Sequence, residues 1–152
     1  MWSSHFCSKI LIRKDKPMAI EWHEDLATGS IEIDLQHREL FERFGKFSAA
    51  FDEGTEPQAL LELLTFLEEY ARTHFKYEEE IQERYSFPGL AGQRKSHEFF
   101  MKDIAALREK IETGGPTHEL ATSLKGKMIR YLIQHLRNDD RKLGDFLREK
   151  TP

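Results

Sequence analysis

Apolar side chains recur at intervals of three to four residues along most of the chain between Ile31 and Phe146. This spacing is typical of helices that bury one face. Three stretches rich in glycine, proline and small polar residues interrupt the pattern and mark turns: DEGTEP (52–57), SFPGLAG (86–92) and TGGPT (113–117). Four helices are therefore predicted. Their short connections force consecutive helices to run antiparallel, so the predicted fold class is all-α, an up-down-up-down four-helix bundle with an N-terminal extension.

Each predicted helix carries its own apolar stripe, and together the four stripes form the predicted core. In chain order they are Ile33, Leu40, Phe44, Phe47 and Phe51; Leu60, Leu63, Leu64, Leu67, Ala71 and Ile81; Phe100, Ile104, Leu107 and Ile111; and Leu120, Leu124, Met128, Leu132, Leu136, Leu143 and Phe146. The sequence contains no alternating run of β-branched residues that would favour a strand instead.

Composition places this bundle in one domain of ordinary size. With 152 residues, of which 39% are hydrophobic, the chain can bury a substantial core and is too apolar for a disordered protein. We predict the domain at 18–152, because the segment from Met18 onward reads like the start of a domain and the apolar stripes begin only after Ile20. The extension at 1–17 lacks the long apolar region of a signal peptide, and we expect it to be dispensable in preference to forming a docking arm. A single cysteine, Cys7, fits a reducing cytoplasm.

Charge and hydropathy exclude two classes of partner. The net charge of -4 provides no basic surface for nucleic acid or an anionic membrane. The chain also lacks an apolar run of the roughly 20 residues that would cross a bilayer. We therefore expect no nucleic acid and no membrane among its partners.

The predicted helices place polar residues on the faces that should be buried. Every helix contributes one inward histidine, and two helices add carboxylates about one turn later: His37, His74 with Glu78, His97, and His135 with Asp139 or Asp140. A single inward histidine is more often a hydrogen-bonded core residue than a ligand. Buried carboxylates, however, are costly without a partner, and this many polar groups cannot all satisfy one another. The joint pattern predicts a metal centre of iron, manganese or zinc, and two carboxylates that bridge would imply two metals.

Other polar residues fit the surface of the bundle. We predict surface positions for His5, His23 and His118, and a solvated helix face for Glu79, Glu80 and Glu83.

Four segments in order, IEWHEDLATGSIEIDLQH, HFKYEE, FPGLAGQRKSHEFF and YLIQHLRNDDRKL, resemble the bacterial hemerythrins and hemerythrin-like proteins over about Ile20 to Leu147. The resemblance implies two non-haem iron ions bridged by carboxylates, with dioxygen or peroxide as the ligand at an open position. It implies that the metal ligands include His37, His74, Glu78, His97, His135 and Asp140. Asp140 is preferred to Asp139 because the family places this carboxylate five residues after the histidine.

One position departs from the family pattern. Gln93 stands where the third helix of the family carries the first of two histidines. An amide is a poorer iron ligand than an imidazole. Three consequences follow, of which we favour the second, then the first: Gln93 coordinates weakly through its oxygen, water or hydroxide fills the position so that both irons are open, or the weakened iron is lost.

Six residues within about a turn of the predicted ligands form the expected pocket for the oxygen ligand: Leu40, Phe75, Phe100, Tyr131, Leu132 and Leu136. An apolar lining excludes water from such a pocket. Tyr131 stands where the family commonly has tryptophan, and its hydroxyl either donates a hydrogen bond to the oxygen ligand or reaches the surface, which we favour.

The predicted function is a non-haem di-iron protein that binds dioxygen as a carrier, store or sensor, with an extra open iron position at Gln93. An alternative is a di-iron oxidoreductase acting on oxygen or peroxide, which would need a redox partner that the sequence does not identify. A third hypothesis, a zinc-bound or metal-independent interaction module, is disfavoured by the retained histidines and carboxylates.

Overall fold

Helices account for nearly all of the described chain. A computed structural model describes residues 21–150, so the extension at 1–17, with His5 and Cys7, lies outside the described residues. The helices are α1 (Ile31–Glu53), α2 (Glu56–Arg84), α3 (Leu90–Gly114) and α4 (His118–Tyr131), which continues through a π-helical segment (Leu132–Asp140) into α5 (Arg141–Lys150). A short 3₁₀ turn, Glu24–Leu26, precedes α1. The all-α four-helix bundle is confirmed, with the fourth helix built from three consecutive pieces.

Turn residues end the helices close to the predicted positions. Ser30 caps α1 by accepting a hydrogen bond from the backbone N–H of Ile33, and Thr117 caps α4 in the same way. Gly54 ends α1 in the left-handed conformation, with a φ of 77°. The helices extend further into the three turn stretches than predicted, because few of the residues in those stretches have to leave the helical conformation.

The predicted apolar stripes form one core between the helices. Most of their members are buried, while Phe51, Ile81, Leu120 and Phe146 are only partly buried. The core also includes Phe41, Tyr70 and Phe75, and it reaches the level of the inward histidines. This apolar core therefore provides a rigid frame for the histidines.

Contacts at the end of the bundle where α1 begins hold the segment before α1 against α5. The backbone N–H and the hydroxyl of Thr28 donate to Asp34 Oδ1 at 2.7 and 2.9 Å. Arg148 Nη1 donates to the carbonyl of Thr28 at 3.3 Å. A Cβ at Gly144 would lie 2.3 Å from that carbonyl oxygen, so glycine is required for this close approach. These contacts fix α5, and with it the end of the π-helical segment. Within residues 21–150, no helix has the length and apolarity to cross a membrane.

Candidate metal centre

Four imidazoles, one from each of the four helices, meet in the interior of the bundle. His37 from α1 and His74 from α2 bring their Nε2 atoms to 3.2 Å, and His97 from α3 and His135 from the π-helical segment bring theirs to 3.1 Å. All four are buried. The structure therefore groups the predicted histidines into two pairs.

Glu78 lies between the two pairs. Its Oε1 is 3.2 Å from His74 Nε2 and 3.7 Å from His37 Nε2, while its Oε2 is 3.2 Å from His97 Nε2. The carboxylate is fully buried. Each of its oxygens thus faces a different histidine pair.

Asp140 spans the two pairs in the same way. Its Oδ2 is 3.2 Å from His37 Nε2 and its Oδ1 is 3.2 Å from His135 Nε2. Together with Glu78 it gives the two halves of the site two shared carboxylates, which is the arrangement expected of bridging ligands.

The distances fit two cations. Ligand atoms close enough for a shared ion form one group of His37, His74, Glu78 and Asp140 and another of Glu78, His97 and His135. Neighbouring ligand atoms of an octahedral ion with bonds of about 2.1 Å lie about 3.0 Å apart. Both oxygens of Glu78 and Oδ2 of Asp140 are buried without a hydrogen-bond partner among the described groups. Since buried carboxylates without partners are costly, cations at these two positions would satisfy the atoms that the protein leaves unpaired.

The π-helical segment explains why Asp140, and not Asp139, faces the centre. In an α-helix the residue four positions after His135 would share its face, and that residue is Asp139. The hydrogen bonds of a π-helix join residues five apart, so Asp140 takes this place instead. Asp140 is fully buried, whereas 41% of the Asp139 side chain is exposed.

Groups outside the centre orient three of the histidines. His74 Nδ1 donates to Gln36 Oε1 at 2.5 Å, and His97 Nδ1 donates to Glu79 Oε1 at 2.8 Å. His135 Nδ1 is 3.0 Å from the hydroxyl of Ser96. A proton held on Nδ1 leaves the Nε2 lone pair directed at the centre, as a ligand requires.

The prediction that Glu79 belongs to a solvated face is therefore wrong. Its carboxylate reaches across from α2 to His97 on α3, 18 residues later in the chain. Gln36 and Ser96 were not predicted either. No periodicity identifies these residues, because each lies beside an apolar stripe and contacts a histidine on another helix.

Gln93 lies against the centre, as its helical spacing predicts. Its side chain is buried, and its Nε2 donates to Asp140 Oδ1 at 3.1 Å. The amide oxygen has no hydrogen-bond partner in the described part of the chain. In this orientation the amide supports a carboxylate, and coordination of metal by Gln93 stays a prediction.

Aromatic and aliphatic side chains cover one end of the centre. All six predicted pocket residues, Leu40, Phe75, Phe100, Tyr131, Leu132 and Leu136, are buried. Phe75 stacks on His97 with 3.9 Å between ring centroids, and Tyr131 stacks on His135 at 5.0 Å. Tyr70, which was not predicted here, stacks on His74 at 4.7 Å. The preference for a surface position of the Tyr131 hydroxyl is wrong, because the hydroxyl is buried.

The electrostatics of the centre keep Glu78 ionised. Burial alone raises the pKa of Glu78, but the proximity of the His74, His97 and His37 imidazoles holds that pKa well below its usual range. Burial lowers the pKa of His135, yet the charge of Asp140 and its neighbours outweighs burial and raises it to about 9. Glu78 is therefore ionised at neutral pH and can attract a cation.

Comparisons with known proteins agree with this geometry. Residues 28–147 match the family described as the Hemerythrin HHE cation binding domain. The chain is 32% identical to a Bacteriohemerythrin of Pseudomonas aeruginosa over 127 residues, and this aligned segment covers 84% of this chain and 80% of that protein. A Bacteriohemerythrin of Stenotrophomonas maltophilia is 30% identical over 124 residues, or 82% and 78% of the two chains. Myohemerythrin of Sipunculus nudus is 24% identical over 119 residues, or 78% and 86%. This chain thus belongs to the hemerythrin HHE cation-binding family.

Proposed function

We propose that this protein holds two non-haem iron ions and binds dioxygen as a carrier, store or sensor. The observation that carries the proposal is the pairing of histidines around two shared carboxylates. The first iron would be held by His37 and His74 and the second by His97 and His135. Glu78 belongs to both groups of candidate ligands, and Asp140 faces a histidine of each pair, so both irons would share these carboxylates. The names of the relatives, Bacteriohemerythrin and Myohemerythrin, support iron as the metal and dioxygen as the ligand.

When bound, ferrous iron supplies electrons and an exchangeable coordination position for dioxygen. The protein contributes orientation and exclusion of water. Gln36 and Glu79 fix the rings of two histidines through their Nδ1 atoms. Phe75 stacks on His97 and Tyr131 stacks on His135. These rings cover one end of the centre, so a small apolar ligand would displace little water there.

The second iron would have fewer imidazoles than the family pattern provides. Gln93 donates to Asp140, so that iron would be held by His97, His135 and the two carboxylates. We propose that this creates an extra exchangeable position. The position favours a second candidate function, an oxidoreductase that acts on oxygen or peroxide, for which an unidentified redox partner would supply electrons. Peroxide consumption by the iron-loaded protein, compared with that of Gln93→His at equal iron content, tests this alternative.

The main proposal is tested by counting metal. We expect two tightly held irons per chain and an absorption spectrum that changes reversibly between oxygen-free and air-equilibrated solutions. His74→Ala should lower the iron content, whereas His118→Ala, at an exposed histidine, should leave it unchanged. An unsubstituted protein that retains at most one iron, or a His74→Ala variant that retains both, contradicts the di-iron assignment.

A further inference from the structure

Gln82 on α2 is a buried polar side chain that no other described residue satisfies. It is completely inaccessible to solvent, and neither its Nε2 nor its Oε1 has a hydrogen-bond partner among the described groups. Uncompensated amides are rare in folded interiors because they have lost their bonds to water. An unpaired amide at such a position indicates a missing partner.

Helix register places Gln82 opposite Gln93. Glu78 on α2 faces His97 on α3, with 3.2 Å between Oε2 and Nε2. Gln82 follows Glu78 by four residues and Gln93 precedes His97 by four. Because α2 and α3 run antiparallel, both steps lead one turn towards the same end of the bundle. The two glutamines therefore occupy one layer, next to the half of the centre that contains His97.

This layer lies on the opposite side of the centre from the aromatic pocket. Tyr70 precedes His74 by four residues and Phe100 follows His97 by three, so both lie on the side away from the glutamines. The metal centre thus has an aromatic end, defined by Tyr70, Phe75, Phe100 and Tyr131, and an amide end, defined by Gln82 and Gln93.

The backbone groups of Gln82 and Gln93 have hydrogen-bond partners of their own and do not involve the side-chain amides. The carbonyl of Gln82 accepts a hydrogen bond from the backbone N–H of Phe87 at 2.8 Å, and the backbone N–H of Gln93 donates to the carbonyl of Gly89 at 3.0 Å. Residues of the turn between α2 and α3 therefore provide the partners of these two backbone groups. Three side-chain atoms of the amide end lack a partner among the described residues: the amide oxygens of Gln82 and Gln93 and the amide nitrogen of Gln82.

The unpaired atoms define the chemistry of a ligand. Two free carbonyl oxygens need a ligand with two O–H donors, and one free NH₂ group needs a ligand that also accepts. Dioxygen and azide have no hydrogen to donate. Water and hydrogen peroxide each donate two hydrogen bonds and accept others. We propose that Gln82 and Gln93 form a second ligand compartment, at the amide end of the centre, for a small hydroxylic molecule: hydrogen peroxide, with water in its place when peroxide is absent.

The inference deepens the proposed function and relies on it only for the iron beside the compartment. A crystal structure of the protein as purified tests the compartment itself. We expect ordered solvent within hydrogen-bond distance of both side-chain amides. A direct hydrogen bond between the two amides, or a space without solvent, would overturn the proposal whether or not iron is present.

Peroxide binding is tested by the oxidation rate of the reduced, iron-loaded protein as a function of hydrogen peroxide concentration. Gln82→Met has nearly the same length and no hydrogen-bonding amide, so it should raise the half-saturating peroxide concentration about tenfold, the effect of losing one or two hydrogen bonds. Azide, which cannot donate, should bind both proteins with similar dissociation constants. Gln58→Met changes an exposed glutamine of the same helix and should alter neither value.

The outcomes separate the two proposals. A protein without iron contradicts the di-iron function and leaves the crystallographic test of the compartment in force. Full iron content with a rate that rises linearly with peroxide, without saturation, overturns the peroxide compartment. The same conclusion follows if Gln82→Met leaves the half-saturating concentration unchanged, or if it weakens azide and peroxide equally.

Discussion

The histidines of the centre differ in what holds their outer nitrogen. His74 donates to an amide oxygen, whereas His97 donates to the carboxylate of Glu79, which is itself 3.3 Å from Arg94. A carboxylate partner makes an imidazole a stronger donor to a metal than an amide partner does. Glu79 therefore supports the half of the site that contains His97 and Gln93.

Glu79→Gln should weaken metal binding in that half of the site. The amide keeps the size of the side chain but removes the charge, and loss of such an outer partner typically costs about 10- to 100-fold in metal affinity. Competition with a chelator during iron titration would show one weakened site and one unchanged site. Glu80→Gln, one residue along and exposed, is the matched control and should affect neither. Equal affinities in the parent and the Glu79→Gln variant would show that the carboxylate does not tune His97.

Periodicity predicts the ligands of this site better than their partners. His37, His74, His97 and His135 fall on apolar stripes, where a polar residue is conspicuous in the sequence. Gln36, Glu79 and Ser96 lie beside those stripes and contact histidines 38, 18 and 39 residues away. Such contacts depend on helix register across the bundle, which the spacing within one helix does not specify.

At the scale of elements, the π-helical segment decides which carboxylate enters the site. Alpha-helical spacing from His135 points to Asp139, and the family resemblance points to Asp140. The segment Leu132–Asp140 has the geometry that favours Asp140. The sequence pattern alone could not distinguish the two aspartates, because apolar spacing predicts a helix without specifying which residues its hydrogen bonds join.

Substituting each aspartate separately tests this selection. Asp140→Asn should reduce the affinity for both metals at least about tenfold, because one oxygen faces each histidine pair and a neutral amide is a weaker ligand. Asp139→Asn should leave two metals bound, since its partly exposed side chain reaches only the outer nitrogen of His135, at 3.5 Å. Iron content after dialysis measures both variants. Retention of iron in Asp140→Asn with loss in Asp139→Asn would reverse the assignment.

The close packing of α5 also makes a prediction for the fourth helix. Gly144→Ala should lower the free energy of unfolding by about 1–3 kcal/mol, because the added Cβ would lie 2.3 Å from the carbonyl oxygen of Thr28. Gly126→Ala in α4 is the matched control. Its Cβ would meet no atom within 4 Å, so it should raise stability by about 0.5–1 kcal/mol. Denaturant unfolding of the metal-free proteins measures both, and similar effects of the two substitutions would contradict the tight contact.

At the scale of the whole molecule, the bundle encloses polar atoms that have no hydrogen-bond partner among the described residues. The aromatic end joins a continuous apolar core. At the amide end, both side-chain amide atoms of Gln82 and the amide oxygen of Gln93 lack hydrogen-bond partners among the described residues. Between them lie two buried carboxylates whose oxygens include three without hydrogen-bond partners in the described structure. Folding of the metal-free chain must bury these groups, so the bundle and the metal centre are expected to be thermodynamically linked.

Removing the metal should therefore destabilise the entire bundle and not only the site. A ligand that binds the folded state alone adds about 4 kcal/mol of stability when its free concentration is a thousand times its dissociation constant. The ligands come from α1, α2, α3 and the π-helical segment, so loss of metal removes a crosslink between all parts of the bundle. The melting temperature should fall after treatment with a chelator and return when iron is restored.

The Asp140→Asn variant serves as the comparison, because its melting temperature should respond much less to added iron than that of the parent. Melting temperatures of the parent that are the same with and without metal would show that the protein compensates its buried carboxylates by itself, and that the cluster does not depend on a cation for stability.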